Sequence, residues 1–114
     1  MQPKSPKLLA DISDAAAFIL ESTRGKTLED YRRDRQMRQA VERNFEIIGE
    51  AVNRLTRTDP TTAARISSTT QILAFRNVLI HGYDLINDKE VWQVITSSLS
   101  KLHAEIQALL AAGD

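Results

Sequence analysis

Residues 76 to 83 read Arg-Asn-Val-Leu-Ile-His-Gly-Tyr and set a guanidinium, an imidazole and a phenol around the end of one predicted helix. Arg76 carries a permanent charge in a planar fork that grips phosphate oxygens in pairs. His81 is of the one side-chain type that ordinarily titrates near neutral pH and so moves protons. Tyr83 follows a glycine and is placed just off the helix end. A phosphate clamp beside a proton carrier suits phosphodiester chemistry without a metal. The plainer alternative is a helix C-terminus with a favourable histidine near its dipole and an arginine on the surface.

The spacing constrains how these groups can cooperate. Arg76 and His81 are five residues apart, hence roughly 140° apart around an ideal helix and about 7.5 Å along it. They do not share a face. Either the helix loosens near His81, or a second copy of the chain completes the site. A two-fold dimer would oppose two such motifs across one cleft. In that reading His81 is general acid or base, and Arg76 stabilises charge developing on the phosphorus oxygens. Asn77 either orients the histidine, binds phosphate, or is simply solvated. Tyr83 either stacks on a base or packs its ring under the next loop.

Elsewhere the chemistry is sparser. Arg32, Arg33, Arg35 and Arg38 form a basic run, of which Arg35 and Arg38 share a side and are candidate RNA phosphate contacts. Glu46 and Glu50 stand four apart and could suggest paired acids, but Arg43, Asn53 and Arg54 make helix-surface pairing the better reading. Asp11, Asp14 and Glu21 give the first helix an acidic cast, and His103 is assigned no role. The absence of cysteine excludes disulfides and thiolate metal sites, and two histidines are too few for a His-rich site in one subunit, so no metal or other cofactor is expected.

The elements that must position these residues read as all-α, since no strand-like alternation is sustained. A first helix is predicted from Pro6 to about Ser22, capped by Ser5, with Gly25 ending the connection. A second starts at the Thr27–Asp30 capping box and runs to about Arg57, with a bend near Asp34. Val41, Phe45, Ile48, Val52 and Leu55 mark its buried face. Gly49 is an exception, a glycine inside a strongly helical stretch. Asp59 and Pro60 open a short helix through about Ile66. The motif helix is placed from about Thr70 to His81. Its apolar residues run almost all round, so it should be the buried centre of the bundle or of an interface. One last helix starts at Asn87 and carries Val91, Trp92, Ile95, Leu99, Leu102, Ile106 and Leu109. Gly113 falls in the tail.

With 114 residues, 42% apolar and 26% charged, the chain fits one globular domain spanning 1–114. Its formal net charge of +0 supplies no global field, so any nucleic-acid binding must come from local patches. No apolar run approaches the roughly 18 residues of a membrane span, and the N-terminus lacks a signal-peptide core. A cytoplasmic protein with no membrane partner is the expectation.

The pattern R-x4-H-x-Y, with a polar residue after the arginine, resembles the signature of the HEPN superfamily, and within it the HepT-like ribonuclease toxins. A second segment, Ala40 to Leu55 (AVERNFEIIGEAVNRL), is similar to the central helix of that branch. The resemblance extends from about Leu8 to the last helix. It implies an antiparallel bundle of four to five helices that dimerises around a composite cleft. It implies a metal-independent endoribonuclease, the toxin of a type VII HepT/MntA-like toxin–antitoxin pair, with Arg76 and His81 catalytic. It also implies a minimal nucleotidyltransferase antitoxin that transfers AMP to Tyr83. The alternative is a non-catalytic HEPN module that binds nucleotide or protein.

Overall fold

The computed structural model describes residues 1–112, which form helices and turns with no strand among them; Gly113 lies outside the described residues. Five helices have ten residues or more: α1 (Ser5–Thr23), α3 (Arg35–Thr58), α5 (Thr69–His81), α6 (Asp88–Ser97) and α7 (Leu99–Ala112). Two are short, α2 (Leu28–Arg33) and α4 (Pro60–Ala63), and Tyr83–Leu85 makes a 3-10 turn. α3 is the spine. α1 packs along it and against α7, α5 packs on α3, and α6 packs on α2 and α7.

The predicted second helix is two helices with a sharp junction. Thr27 and Asp30 form a complete capping box, with Thr27 Oγ1 accepting from the Asp30 amide at 3.1 Å and Asp30 Oδ2 from the Thr27 amide at 2.9 Å. At Asp34 the backbone turns extended (φ −107°, ψ 94°), and its carboxylate caps α3 by accepting from the Met37 amide at 2.9 Å. The predicted last helix is also divided, at Ser98. Thr96 Oγ1 donates to the Trp92 carbonyl at 3.0 Å, and Ser97 Oγ donates to the Gln93 carbonyl. Hydroxyls bonded back to the i−4 carbonyl compete with the helix ladder and bend it. At the start of α6, Asn87 Oδ1 accepts from the Lys89 and Glu90 amides at 2.9 and 3.3 Å. The chain reverses after α1 at Gly25, whose φ of 73° suits a residue without a side chain.

The core follows the predicted stripes. Leu9, Ile12, Ala16 and Ile19 of α1 meet Val41, Ile48, Val52 and Leu55 of α3, with Leu102 and Ile106 of α7 closing the far side. Tyr31 is wholly buried, with its ring 5.4 Å from that of Trp92, which locks α2 onto α6. Ser5 does not cap α1 as expected. Its hydroxyl donates to Asp59 Oδ2 at 2.7 Å, and Lys4 occupies the cap position without a side-chain bond. Asp59 also accepts from the Gln2 amide at 3.0 Å, the Thr62 amide at 3.2 Å and the Thr62 hydroxyl at 2.7 Å. One buried carboxylate thus caps α4 and ties the N-terminus to the end of α3. No described helix is long and apolar enough to cross a membrane.

Candidate nuclease site

α5 carries the motif residues, and it is not the buried centre of the bundle. Of its thirteen residues only Leu79 is buried; Ile72, Leu73 and Phe75 are half-buried, while Val78 and Ile80 are 37% and 39% exposed. The helix lies on α3 by one side and presents the rest of its apolar surface outward. An apolar cleft of about 190 Å³ opens beside it, lined by Phe45, Ile48, Ile72, Phe75 and Val94 among others.

α5 remains a regular α-helix through His81, so the ladder does not loosen there. Arg76 and His81 therefore keep the angular separation of ideal geometry, and one chain does not bring them onto a common face. His81 is exposed on the last helical residue. Its Gly82 follows with φ −125° and ψ 47°, which any residue adopts. Gly82 serves through space instead: a Cβ there would stand 3.3 Å from the Val78 carbonyl oxygen and 3.4 Å from Leu85 Cδ1. Tyr83 does not pack under the next loop. It is 82% exposed on the 3-10 turn, beside Leu85 at 71%.

Arg76 is the best-held member of the group. Its stem lies directly against α3 at Gly49, and an added Cβ on Gly49 would meet Arg76 Cβ at 2.5 Å. Its Nε is buried with no hydrogen-bond partner among the described residues, and Nη1 donates to Asn77 Oδ1 at 3.4 Å. One turn earlier on α3, Phe45 meets Phe75 edge-on with centroids 5.1 Å apart. The interruption of an α3 helical pattern by Gly49 was the one sequence signal for this close crossing.

The other candidates separate. Arg38 is half-buried and donates from Nη1 to the Arg32 carbonyl at the end of α2, so part of its capacity holds the α2–α3 junction. Arg35 is exposed. Glu46 pairs with Arg43 at 3.3 Å and Glu50 with Arg54 at 2.7 Å, as helix-surface partners. Among the described residues no three His, Asp or Glu side chains gather as a metal-binding group.

A cluster that the sequence did not announce lies at the junction of α2, α3 and α6. Burial pushes the Tyr31 phenol well above its ordinary range, with Glu42 and Asp88 adding to the effect and Arg38 opposing it. The Tyr31 hydroxyl is buried and has no hydrogen-bond partner among the described residues. Burial likewise raises the Glu42 carboxyl, with Asp88 and Glu46 adding to it and Arg38 opposing.

The chain is all-helical, with Arg76 packed against the spine helix and His81 and Tyr83 exposed at and just beyond the end of α5. Comparison with known proteins defines it further. The chain belongs to the ribonuclease HepT-like family, whose model matches residues 12–109. It is 29% identical over 108 residues to a protein of Caldanaerobacter subterraneus subsp. tengcongensis named "Putative RNase", covering 94% of this chain and 96% of the other. It is 30% identical over 105 residues to the "Probable ribonuclease HepT" of Thermococcus cleftensis, covering 89% and 91%. A "Putative RNase" of Methanocaldococcus jannaschii is 28% identical over 99 residues, covering 87% and 90%. No solved structure matches the chain.

Proposed function

We propose that this member of a ribonuclease family is a metal-independent endoribonuclease of the cytoplasm and the toxin of a toxin–antitoxin pair. Its RNA-cleaving cleft is composite, formed where the α5 ends of two copies meet. The observation that carries the reading is the placement of the R-x4-H-x-Y residues. Arg76 is half-buried with its stem seated on Gly49, while His81 and Tyr83 stand exposed beyond it. The unbroken helix keeps Arg76 and His81 of one chain apart, and the exposed Val78 and Ile80 offer an apolar surface for a second copy.

In this reading His81 exchanges a proton with the 2′-oxygen or the leaving 5′-oxygen of the RNA. Arg76 donates charge-assisted hydrogen bonds to the phosphate oxygens as negative charge builds on them. Asn77, bonded to the same guanidinium, helps orient it. Arg35 extends the basic surface toward the RNA backbone. Arg38 does so only with the donors left from its bond to Arg32.

Control falls to Tyr83. A partner nucleotidyltransferase transfers AMP from ATP to the phenolic oxygen, with pyrophosphate leaving. The attached phosphate then pairs with an Arg76 guanidinium and occupies the substrate's place. The 82% exposure of Tyr83 supports its access to an enzyme active site.

The test is RNA cleavage by the purified chain with and without EDTA, followed by incubation with the cognate nucleotidyltransferase and ATP. Cleavage should persist in EDTA. Intact mass should then rise by adenylyl increments on Tyr83 as cleavage stops, and Tyr83→Phe should escape both changes. Cleavage abolished by chelator would overturn the metal-independent reading. An adenylyl group on another residue would remove Tyr83 from control.

A further inference from the structure

On the reading above Arg76 clamps the RNA phosphate, and the structure identifies what holds it in place. Helix axes normally approach no closer than about 8–10 Å, with side chains between them. At Gly49 the missing side chain lets α5 settle directly on the α3 backbone. The three atoms nearest to such a Cβ all belong to Arg76: Cβ at 2.5 Å, Cγ at 2.8 Å and Cδ at 2.9 Å. The whole aliphatic stem is thus laid flat across one glycine. The neighbouring Phe45–Phe75 contact prevents α5 from rolling away.

This seating has a chemical consequence. A long, flexible side chain on a surface helix samples many rotamers, and an arginine aimed at a phosphate loses that freedom on binding. Here the stem is fixed beforehand. Nε is carried below the surface with no acceptor in the described protein, while Nη1 is turned to Asn77. The residue as a whole is only half-buried, so the outer part of the guanidinium is left to meet an oxyanion.

We propose that Gly49 is a positioning residue for Arg76: its bare α-carbon seats the arginine stem on α3 and so fixes where the guanidinium meets a phosphate oxygen. Gly49→Ala needs Arg76 to move out by about 1 Å to restore a normal carbon–carbon contact near 3.5 Å. A displacement of that size at a reacting centre costs about 10²-fold in rate.

The test compares wild type, Gly49→Ala and Ala51→Gly in single-turnover RNA cleavage. The Arg76 Nε–H resonance, assigned through its loss in Arg76→Lys, is recorded for each. Ala51 lines the α1 side of the same helix with Leu8 and Asp11, so its change perturbs α3 without touching Arg76. Gly49→Ala should lower the cleavage rate about a hundredfold with little change in KM, and should move the Nε–H signal to the position and fast exchange of a free arginine. Ala51→Gly should leave both readouts as in wild type. A Gly49→Ala rate within twofold of wild type, or an unshifted Nε–H signal, overturns the inference. A wild-type protein that fails to cleave RNA overturns the ribonuclease reading, while the resonance still decides the role of Gly49. Should Gly49→Ala not fold, the wild-type signal decides: an Nε–H that exchanges as fast as free arginine shows that the stem is not seated.

Discussion

His81→Ala is the substitution that best separates chemistry from folding. The histidine is exposed on the last residue of α5 and makes no side-chain hydrogen bond among the described residues. Its truncation opens no core cavity. What it removes is a side chain near a helix C-terminus, worth about 0.3–1 kcal/mol when charged. Alanine's better helix propensity returns part of that. The net stability change is therefore under about 1 kcal/mol, or a few degrees in Tm for a domain of this size. Loss of one proton-transfer group costs about 10²–10⁴ in rate, equivalent to roughly 3–5 kcal/mol of barrier. The predicted effect on cleavage thus exceeds the effect on folding severalfold. Thermal denaturation by circular dichroism, with cleavage of a labelled RNA at 25 °C, reads both. A variant that cleaves within threefold of wild type refutes the assigned role. A variant that loses activity together with a Tm drop beyond about 10 °C refutes the claim that His81 is structurally idle. Arg76→Ala is a poorer probe than its place near a helix end suggested, because it also strips the packing over Gly49.

On the composite-cleft reading, Ile80→Glu should convert a dimer to a monomer in analytical ultracentrifugation and abolish cleavage, while helix content is kept because Ile80 is already 39% exposed. A dimer that survives the charge would place the interface elsewhere. Asp59 predicts a pH effect. Hydrogen bonds from the Gln2 amide, the Thr62 hydroxyl and the Ser5 hydroxyl hold its carboxyl well below the usual carboxylate range. A depressed folded-state pKa contributes stability above about pH 4 that is lost as pH falls below it. Asp59→Asn should therefore lower Tm most at neutral pH, with the gap to wild type narrowing as the medium is acidified; a constant gap would count against it. Glu42 carries the opposite sign. Its raised folded pKa makes ionisation unfavourable to the fold, so Glu42→Gln should raise Tm at pH 7 and lose that advantage toward pH 4.

Much of this arrangement was written locally. The α1 and α3 stripes, the Thr27–Asp30 box and the turn at Gly25 follow from spacing and capping chemistry that a few adjacent residues contain. What was not legible depends on partners far along the chain. Ser5 reads as a cap until Asp59, 54 residues away, claims its hydroxyl. Tyr31 sits between Asp30 and Arg32 in a charged stretch, and nothing near it signals a fully buried ring against Trp92. The break at Ser98 was hidden because the apolar stripe from Ile95 to Leu99 and Leu102 continues across it. The site residues were visible as types in a spacing; that Arg76 is seated on Gly49 and Tyr83 fully presented required the fold.

The motif helix shows why an apolar pattern alone left two outcomes open. An all-round apolar helix must be covered, yet α3 covers only one side of α5 and Leu79 alone is buried. Each exposed aliphatic side chain on it forgoes part of the roughly 1.5–3 kcal/mol that full burial would contribute. A helix chosen only for stability would carry lysine or glutamate there. Keeping Val78 and Ile80 instead makes sense where that surface is buried in a complex, and the residues next to it are the ones that would do the chemistry. Association and cleavage would then be linked through the same two turns of helix. If so, the total cleavage rate should rise with the square of protein concentration while pairs are scarce, and become linear once pairs dominate. A total rate strictly linear in concentration across the dissociation range of the pair would show that a single chain cuts alone, and would leave the outward face of α5 to some other partner.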